Sequence, residues 1–184
     1  MFKKIVIIFF IGILNINNSA FSDDKILKSL KEGKKLIFIR HAIAPGNGDP
    51  NNFDINDCST QRNLDKNGIT QSKKIGQFFK NNKIKIDKVL SSEWCRCKDT
   101  AKYAFQNFET FDALNSFYDV RFAANEAKQV KDLKNYIKNW NDDKNLVLVT
   151  HFVVISSILK TGSSSGEIII SDKNLNIIGS INTM

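Results

Sequence analysis

Two short apolar runs of this sequence each end in a histidine, and no other histidine occurs in the chain. Residues 36–39 are followed by Arg40 and His41, and residues 145–150 by His151. A short apolar run that is closed by turn-forming residues is typical of a buried strand in a parallel sheet. Ligands bind outside the carboxyl ends of such strands. The sequence therefore predicts that both imidazoles and the guanidinium of Arg40 face one site.

A third predicted strand, residues 87–92, is followed by Arg96 in the first turn of a helix. The chain has four arginines beside 23 lysines. Lysine replaces arginine poorly where a planar fork of N–H groups must bind an oxyanion. Two guanidiniums, two imidazoles and the N–H groups of helix N-termini form an anion site, and a phosphoryl group fits such a site best.

The elements that position these residues alternate between strands and helices. Apolar spacing predicts helices over residues 26–30, 64–79, 93–108, 126–140 and 152–159, a short strand or extended piece over 111–117, and a terminal hairpin over 167–172 and 175–181. Residues 41–60 form a long polar loop, and such loops are usually functional in a compact domain. The expected fold class is α/β, with three layers in the order α/β/α and a mostly parallel central sheet.

The first 22 residues have the pattern of a secretory signal peptide. Two lysines precede a short apolar core, and Ala20-Phe21-Ser22 offers a small-residue cleavage site. An apolar run of this length is too short to span a bilayer, although an uncleaved N-terminal anchor is the alternative. We expect residues 23–184 to form a single domain without a membrane span, located in the periplasm or secreted.

The formal net charge of the 184-residue chain is +8. This excess could attract anionic partners. However, the basic residues do not cluster with interleaved aromatic residues, as they do in nucleic-acid-binding proteins. The composition therefore argues against a nucleic-acid partner and leaves a small anionic substrate.

Four motifs together resemble the histidine phosphatase superfamily, which has the phosphoglycerate-mutase-like fold. Arg40-His41-Ala42 is similar to its arginine–histidine–glycine signature, and residues 91–101 resemble its Ser-Ser-x-x-x-Arg-x-x-x-Thr-Ala element around Arg96. His151 matches its second histidine, and Arg62-x-Leu64-x-x-x-Gly68 resembles the approach to its first helix.

This resemblance implies a phosphatase reaction. His41 would attack phosphorus through an unprotonated ring nitrogen, Arg40 and Arg96 would hold the phosphoryl oxygens, and His151 would donate to them in the transition state. Water would then hydrolyse the phosphohistidine. The resemblance implies no cofactor, and neither the histidines nor the carboxylates have the spacing of metal ligands.

Two further residues are candidates for substrate binding. Arg62 either anchors the substrate or pairs with a carboxylate such as Asp65. Asn47 matches an asparagine that often follows the family signature, but Gly46-Asn47-Gly48 would also use it as a turn residue.

The general acid is the point at which the sequence departs from the family. Asn115 and Ser116 stand where the family often has a glutamate. Asp119 is our candidate for the acid, and Glu126 is the second choice. If neither serves, substrates with good leaving groups, such as phosphoramidates or acyl phosphates, are favoured.

Three cysteines lie in the predicted exported part, where disulfides persist. Cys58 could pair with Cys95 or Cys97 and thereby tie the long loop to the helix of Arg96. Three free thiols are the alternative.

These observations favour an exported, metal-independent phosphohydrolase that acts on small phosphomonoesters or related phosphoryl compounds. The alternative is a phosphate- or phosphosugar-binding protein that has the anion pocket without turnover. A protein phosphohistidine phosphatase would share the small size, but such proteins are usually cytoplasmic.

Overall fold

Strands alternate with helices along the chain, as the apolar pattern predicts. The computed structural model describes residues 18–184. Its helices are α1 (Asn18–Glu32), α2 (Lys66–Asn81), α3 (Cys95–Phe105), α4 (Glu126–Asn139) and α5 (Phe152–Leu159). Its strands are β1 (Leu36–Arg40), β2 (Ile86–Ser91), β3 (Glu109–Thr110), β4 (Asn145–Thr150), β5 (Ile168–Ser171) and β6 (Ile177–Ile181).

The six strands form one sheet in the order β3-β2-β4-β1-β5-β6. Strands β1 to β4 pair in parallel, and β5 and β6 are antiparallel to their neighbours. The sheet is therefore mixed and mostly parallel, which confirms the predicted fold class. The terminal hairpin is also confirmed.

Alternate residues of the central strands point to the two helical layers. Phe38 of β1 packs in a core with α4 and α5. Its neighbours Ile37 and Ile39 pack in a second core with α1, α2 and α3. Because both faces of the sheet are covered, the central strands are apolar throughout.

The register of the sheet brings the candidate residues together. Arg40 is paired with Thr150, so that the chains of β1 and β4 leave the sheet side by side. The N–H of His41 donates to the carbonyl of Thr150 at 2.9 Å, and the N–H of Ser92 donates to the carbonyl of Val149 at 2.9 Å. The carboxyl ends of three adjacent parallel strands thus lie at one edge of the sheet.

Several predicted boundaries need correction. The third helix begins at Cys95 and ends at Phe105, so it is shorter than residues 93–108. Residues 111–117 contain a 3₁₀ turn at Asp112–Leu114, and the short edge strand Glu109–Thr110 precedes them. Two paired residues give too little pattern for the sequence to locate such a strand.

The predicted signal peptide falls mostly on residues 1–17, which lie outside the described residues. Helix α1 covers the predicted cleavage site and ends at Glu32, directly before Gly33 with φ of +80°. Its buried residues Ile26 and Leu30 pack against the sheet. No helix within residues 18–184 combines the length and apolar character needed to cross a membrane.

Candidate active site

The two histidines lie side by side at the carboxyl edge of the sheet. Their ring centroids are 5.4 Å apart, their ring planes are inclined by 67°, and each residue is 2% exposed. His41 follows β1, and His151 follows β4 and precedes α5. Two imidazoles are therefore fixed in a buried position by the backbone of adjacent strands.

The hydrogen bond of His41 determines which of its ring nitrogens is free. Nδ1 lies 2.8 Å from the carbonyl oxygen of Ala42, and since a carbonyl only accepts, Nδ1 carries the proton. The N–H of Ile43, which shares a peptide group with this carbonyl, donates to Oε1 of Gln71 at 3.0 Å and so fixes its orientation. Burial and the charge of Arg96 hold the pKa of His41 well below its ordinary value. The neutral ring therefore has its lone pair on Nε2.

His151 is oriented by a chain of three polar side chains. Its Nε2 lies 2.9 Å from Oγ of Ser92, which lies 3.0 Å from Oδ1 of Asn115. The amide nitrogen of Asn115 donates to Glu93 Oε2 at 2.6 Å, and Asn115 Oδ1 accepts from the Glu93 N–H at 2.8 Å. Burial and the charge of Arg96 also lower the pKa of His151 well below its ordinary value.

Arg40 has one guanidinium nitrogen bound to the protein and another without a partner. Its Nη1 donates to the carbonyl of Ser163 at 2.6 Å, and the guanidinium lies over the ring of Phe152 at 5.3 Å. The buried Nε has no hydrogen-bond partner within the described residues. Arg40 therefore has donor capacity left for an anion.

Arg62 holds the long loop. Its Nε donates to the carbonyl of Gly48 at 3.0 Å, and its Nη1 donates to the carbonyl of Ala44. The pairing with Asp65 that the sequence allowed is not formed, because Asp65 caps α2 by accepting from the N–H of Gly68.

Arg96 forms an ion pair with Asp49, a residue that the sequence analysis did not identify. Its Nη1 and Nη2 donate to the two carboxylate oxygens of Asp49, at 2.8 and 3.2 Å. Burial alone would raise the pKa of Asp49, but the hydrogen bonds and charge of Arg96 outweigh it and hold the pKa below its ordinary value. Asp49 is therefore a carboxylate within a site of positive charge.

All seven predicted site residues line one cavity of about 310 Å³. They are Arg40, His41, Asn47, Arg62, Arg96, Asp119 and His151. The structure thus brings together residues that lie up to 111 positions apart in the sequence. Such a small concave site with converging guanidiniums and imidazoles can hold a phosphoryl group.

The two predicted general acids have different positions. Asp119 lines the cavity, but both of its carboxylate oxygens accept from Arg121, and hydrogen bonds to Arg121 lower the pKa of Asp119 to about 2. Glu126 lies outside this cavity and accepts from Oγ of Ser157 at 2.7 Å. Glu126 begins α4 and faces α5, so the structure places the second candidate for the acid away from this cavity.

Asn47 stands in a turn between Gly46 and Gly48, whose φ angles are +93° and +67°. Its exposed side chain also belongs to the cavity wall. Both interpretations of Asn47, as a turn residue and as a substrate contact, are compatible with this position.

Cys58 and Cys95 form a disulfide, which resolves the cysteine pairing that the sequence left open. The bond joins the long loop to the first residue of α3, next to Arg96. Cys97 is not bonded, and its buried Sγ lies 3.4 Å from Nε2 of His151. Burial raises the pKa of the Cys97 thiol to about 12, so it stays protonated.

Sequence reasoning missed Asp49 and gave Ser92 and Asn115 no role. Asp49 lies in a loop without periodicity, and only its neighbours Gly48 and Pro50 indicate a turn. Ser92 belongs to the motif of residues 91–101, in which the sequence assigns a role to Arg96 alone. No group of three or more His, Cys, Asp or Glu side chains that could hold a metal ion occurs in the described part of the chain.

Comparison with known proteins points to one family. The model of the histidine phosphatase superfamily (branch 1) matches residues 36–126. This segment contains His41, Arg62 and Arg96. No curated protein sequence matches the chain significantly.

Solved structures with the same fold include three phosphatases. The protein histidine phosphatase SixA with tungstate is 16% identical with a TM-score of 0.56, over 81% of this chain and 97% of that chain. A phosphoserine phosphatase mutant from Entamoeba histolytica with phosphoserine is 21% identical with a TM-score of 0.53, over 74% and 89%. A mycobacterial glucosyl-3-phosphoglycerate phosphatase with VO3 is 15% identical with a TM-score of 0.53, over 75% and 92%. At these identities the likeness establishes the fold.

Proposed function

Since the chain belongs to the histidine phosphatase superfamily, we propose that it is an exported phosphohydrolase that works through a phosphohistidine on His41. The observation that carries this proposal is the state of His41. Its Nδ1 donates to Ala42, and the pKa of the buried ring is lowered, so Nε2 presents a lone pair to a cavity that also contains Arg40 and Arg96.

The reaction has two displacements at phosphorus. In the first, the lone pair of His41 Nε2 forms a bond to phosphorus, and the bond from phosphorus to the leaving atom breaks. The leaving atom takes the electron pair and then a proton from solvent. In the second, water attacks phosphorus, the phosphorus–nitrogen bond breaks, its electron pair returns to Nε2, and the proton of water passes to solvent. Arg40 and Arg96 stabilise the charge on the phosphoryl oxygens. His151, whose Nδ1 lies 3.5 Å from Nη2 of Arg96, helps to place that guanidinium.

The carboxylates of the cavity favour substrates with good leaving groups. Asp49 and Asp119 are the two carboxyl groups among the described residues that line the cavity, and arginines lower the pKa of both. An ionised carboxylate cannot protonate a leaving group. A phosphoramidate or an acyl phosphate needs less assistance from an acid than an alkyl phosphate. The name of the similar protein histidine phosphatase SixA agrees with a phosphoramidate substrate.

Export is supported by the charged start, the apolar core and the small-residue cleavage site of residues 1–22. To test it, the full chain would be expressed in a bacterium, and the protein in the periplasmic and medium fractions would be measured by intact mass. We expect a species that lacks residues 1–22. Retention of the full chain in the membrane fraction would favour an uncleaved anchor.

The phosphohistidine is tested by trapping it. Purified protein would be mixed with an aryl phosphate, a sugar phosphate or a phosphoramidate in the presence of a metal chelator, and turnover and protein mass would be recorded. We expect turnover that survives the chelator, and an adduct of one phosphoryl group. His41→Ala should abolish both, whereas His151→Ala should slow turnover and still form the adduct.

The same experiment separates the proposal from its alternative. If inorganic phosphate binds but none of the three substrates turns over, the chain is a phosphate- or phosphosugar-binding protein. If the phosphoramidate turns over much faster than the sugar phosphate, the general acid is absent, and P–N substrates are favoured. Turnover that stops on addition of the chelator would contradict a metal-independent reaction.

A further inference from the structure

The pair formed by Arg96 and Asp49 differs from the other ion pairs of the described residues. Its side chains are only 4% and 8% exposed. The next most buried pair, Arg121 with Asp119, has side chains that are 34% and 28% exposed. A surface ion pair contributes little to stability. A buried pair carries a large desolvation cost, so its place inside a candidate active site calls for a function.

Asp49 is fixed by more than its partner. Its Oδ1 also accepts from the backbone N–H of Arg62 at 3.0 Å, and its Oδ2 accepts from Nε1 of Trp94 at 3.0 Å. Each carboxylate oxygen therefore has one donor from Arg96 and one donor from elsewhere. Displacing the carboxylate from Arg96 would leave two buried donors without an acceptor, which is costly.

Arg96 itself needs an external group to hold it in one orientation. Both of its terminal nitrogens bind Asp49, and its buried Nε has no partner among the described residues. An arginine side chain has many rotamers, and a bidentate carboxylate selects one of them. The Cys58–Cys95 disulfide adds to this arrangement, because it joins the loop of Asp49 to the helix of Arg96.

We propose that Asp49 is a positioning residue of the phosphoryl-binding site, which holds the guanidinium of Arg96 in the orientation that receives phosphoryl oxygens. This inference rests on the proposed function. Asp49 stays in place when the anion binds, and it contacts the anion only through Arg96. The competing interpretation is that Asp49 occupies the place of the phosphoryl group and is expelled by it. The donors from Arg62 and Trp94 argue against that interpretation.

The test measures binding of inorganic phosphate to the purified protein by calorimetry, which needs no turnover. Asp49→Asn replaces the carboxylate with a neutral amide. Asp49→Glu keeps the carboxylate but moves it by one methylene. We expect both variants to bind phosphate about 10- to 100-fold more weakly, the usual effect of losing the group that orients a ligand-binding side chain.

The matched control is Asp57→Asn. Asp57 lies on the same loop, is exposed, and caps the turn Cys58–Thr60. Asparagine caps as well as aspartate does, so this variant removes the same charge without removing a structural contact. We expect its phosphate affinity to equal that of the unmodified protein. Far-UV circular dichroism and the melting temperature would establish that each variant is folded.

A double-mutant cycle decides whether Asp49 acts through Arg96. We expect that in an Arg96→Ala background, Asp49→Asn no longer weakens phosphate binding. An equal loss in both backgrounds would overturn the proposal. Tighter phosphate binding by Asp49→Asn would also overturn it, because Asp49 would then be a competitor. Unchanged binding by Asp49→Glu or Asp49→Asn would overturn it as well. In that case, phosphate binding by the unmodified protein and weaker, still measurable binding by Arg96→Ala would leave the proposed function standing.

Discussion

The hydroxyl of Ser92 accepts a hydrogen bond from Nε2 of His151. The hydroxyl has a single proton, and Asn115 Oδ1, 3.0 Å away, can only accept that proton. The contacts of Asn115 with Glu93 fix which end of its amide is the oxygen. The short distance from Ser92 Oγ to His151 Nε2 therefore requires a proton on Nε2. His41 and His151 are neutral in opposite tautomers.

Asn115→Leu should remove the preference of His151 for the tautomer with its proton on Nε2. Without the acceptor Oδ1, the hydroxyl of Ser92 can donate to His151, and both tautomers become populated. We expect kcat to fall about tenfold, which is typical when a group that orients an active-site histidine is lost. Long-range 1H–15N NMR would show a mixed tautomer for His151 in this variant and Nε2–H in the unmodified protein.

Asn125→Leu is the control for this prediction. Asn125 is exposed, precedes α4, and makes no side-chain cap with the helix. Its replacement should leave kcat and the tautomer of His151 unchanged. If His151 in the unmodified protein carried its proton on Nδ1, the hydrogen-bond assignment of Ser92 would be wrong.

The lowered pKa values of His41 and His151 predict a loss of stability in mild acid. In the unfolded chain, the pKa of histidine is about 6.5. Below that pH, the unfolded state binds more protons than the folded state, since burial keeps both rings neutral. The free energy of unfolding should be at its plateau above about pH 7.5, where the unfolded histidines are also neutral, and should fall as the pH is lowered to 5. With two such histidines, the free energy of unfolding should fall by at most about 2.7 kcal/mol per pH unit.

Urea denaturation at several pH values between 5 and 7.5 measures this dependence. Replacing one histidine, as in His41→Asn, should reduce the slope, because only one buried imidazole then remains. A free energy of unfolding that does not change from pH 7 to pH 5.5 would mean that the histidines titrate normally in the folded protein.

The positions of the two histidines could be predicted because they depend on local pattern. A continuous apolar run identifies a central strand, and the residue after such a strand lies at the ligand-binding edge. Arg40, His41 and His151 all follow from this rule. The covered sheet follows too, since central strands that are apolar throughout need helices on both faces.

The partners of these residues could not be predicted, because they depend on how distant segments meet. Asp49 reaches Arg96 across 47 positions, and Asn115 reaches Ser92 across 23. Both lie in irregular segments, in which no periodicity indicates the direction of a side chain. Asp119 is the opposite case. The sequence could identify it as a candidate acid, but it could not reveal that Arg121 binds its carboxylate.

The Cys58–Cys95 disulfide should contribute to stability and to substrate binding. It closes a segment with a sequence separation of 37 residues. The chain-entropy model gives about 4 kcal/mol for a loop of this size. Cys58→Ser/Cys95→Ser should lower the free energy of unfolding by this order. It should also raise KM, since the loop of Asp49 loses its attachment to α3.

Dithiothreitol provides the internal control for this prediction. The reductant should destabilise the unmodified protein and the variant Cys97→Ala, which keeps the disulfide. It should have no effect on the double serine variant. If reduction leaves the denaturation curve of the unmodified protein unchanged, the disulfide does not form in the purified protein.

Gly68→Ala should disturb the backbone that follows His41. Gly68 lies in the first turn of α2, where an alanine would ordinarily stabilise the helix by up to about 1 kcal/mol. Here its Cβ would stand 2.0 Å from the carbonyl oxygen of Ile43. A backbone atom cannot move aside as a side chain can, so we expect a net destabilisation of about 1–3 kcal/mol. Since Ile43 follows Ala42, whose carbonyl fixes the tautomer of His41, kcat should fall as well.

Gly162→Ala is the matched control, because nothing lies within 4 Å of the Cβ it would add. Melting curves and kcat of both variants measure the two effects, and a Gly68→Ala protein as stable and active as the control would show that α2 does not hold the loop after β1.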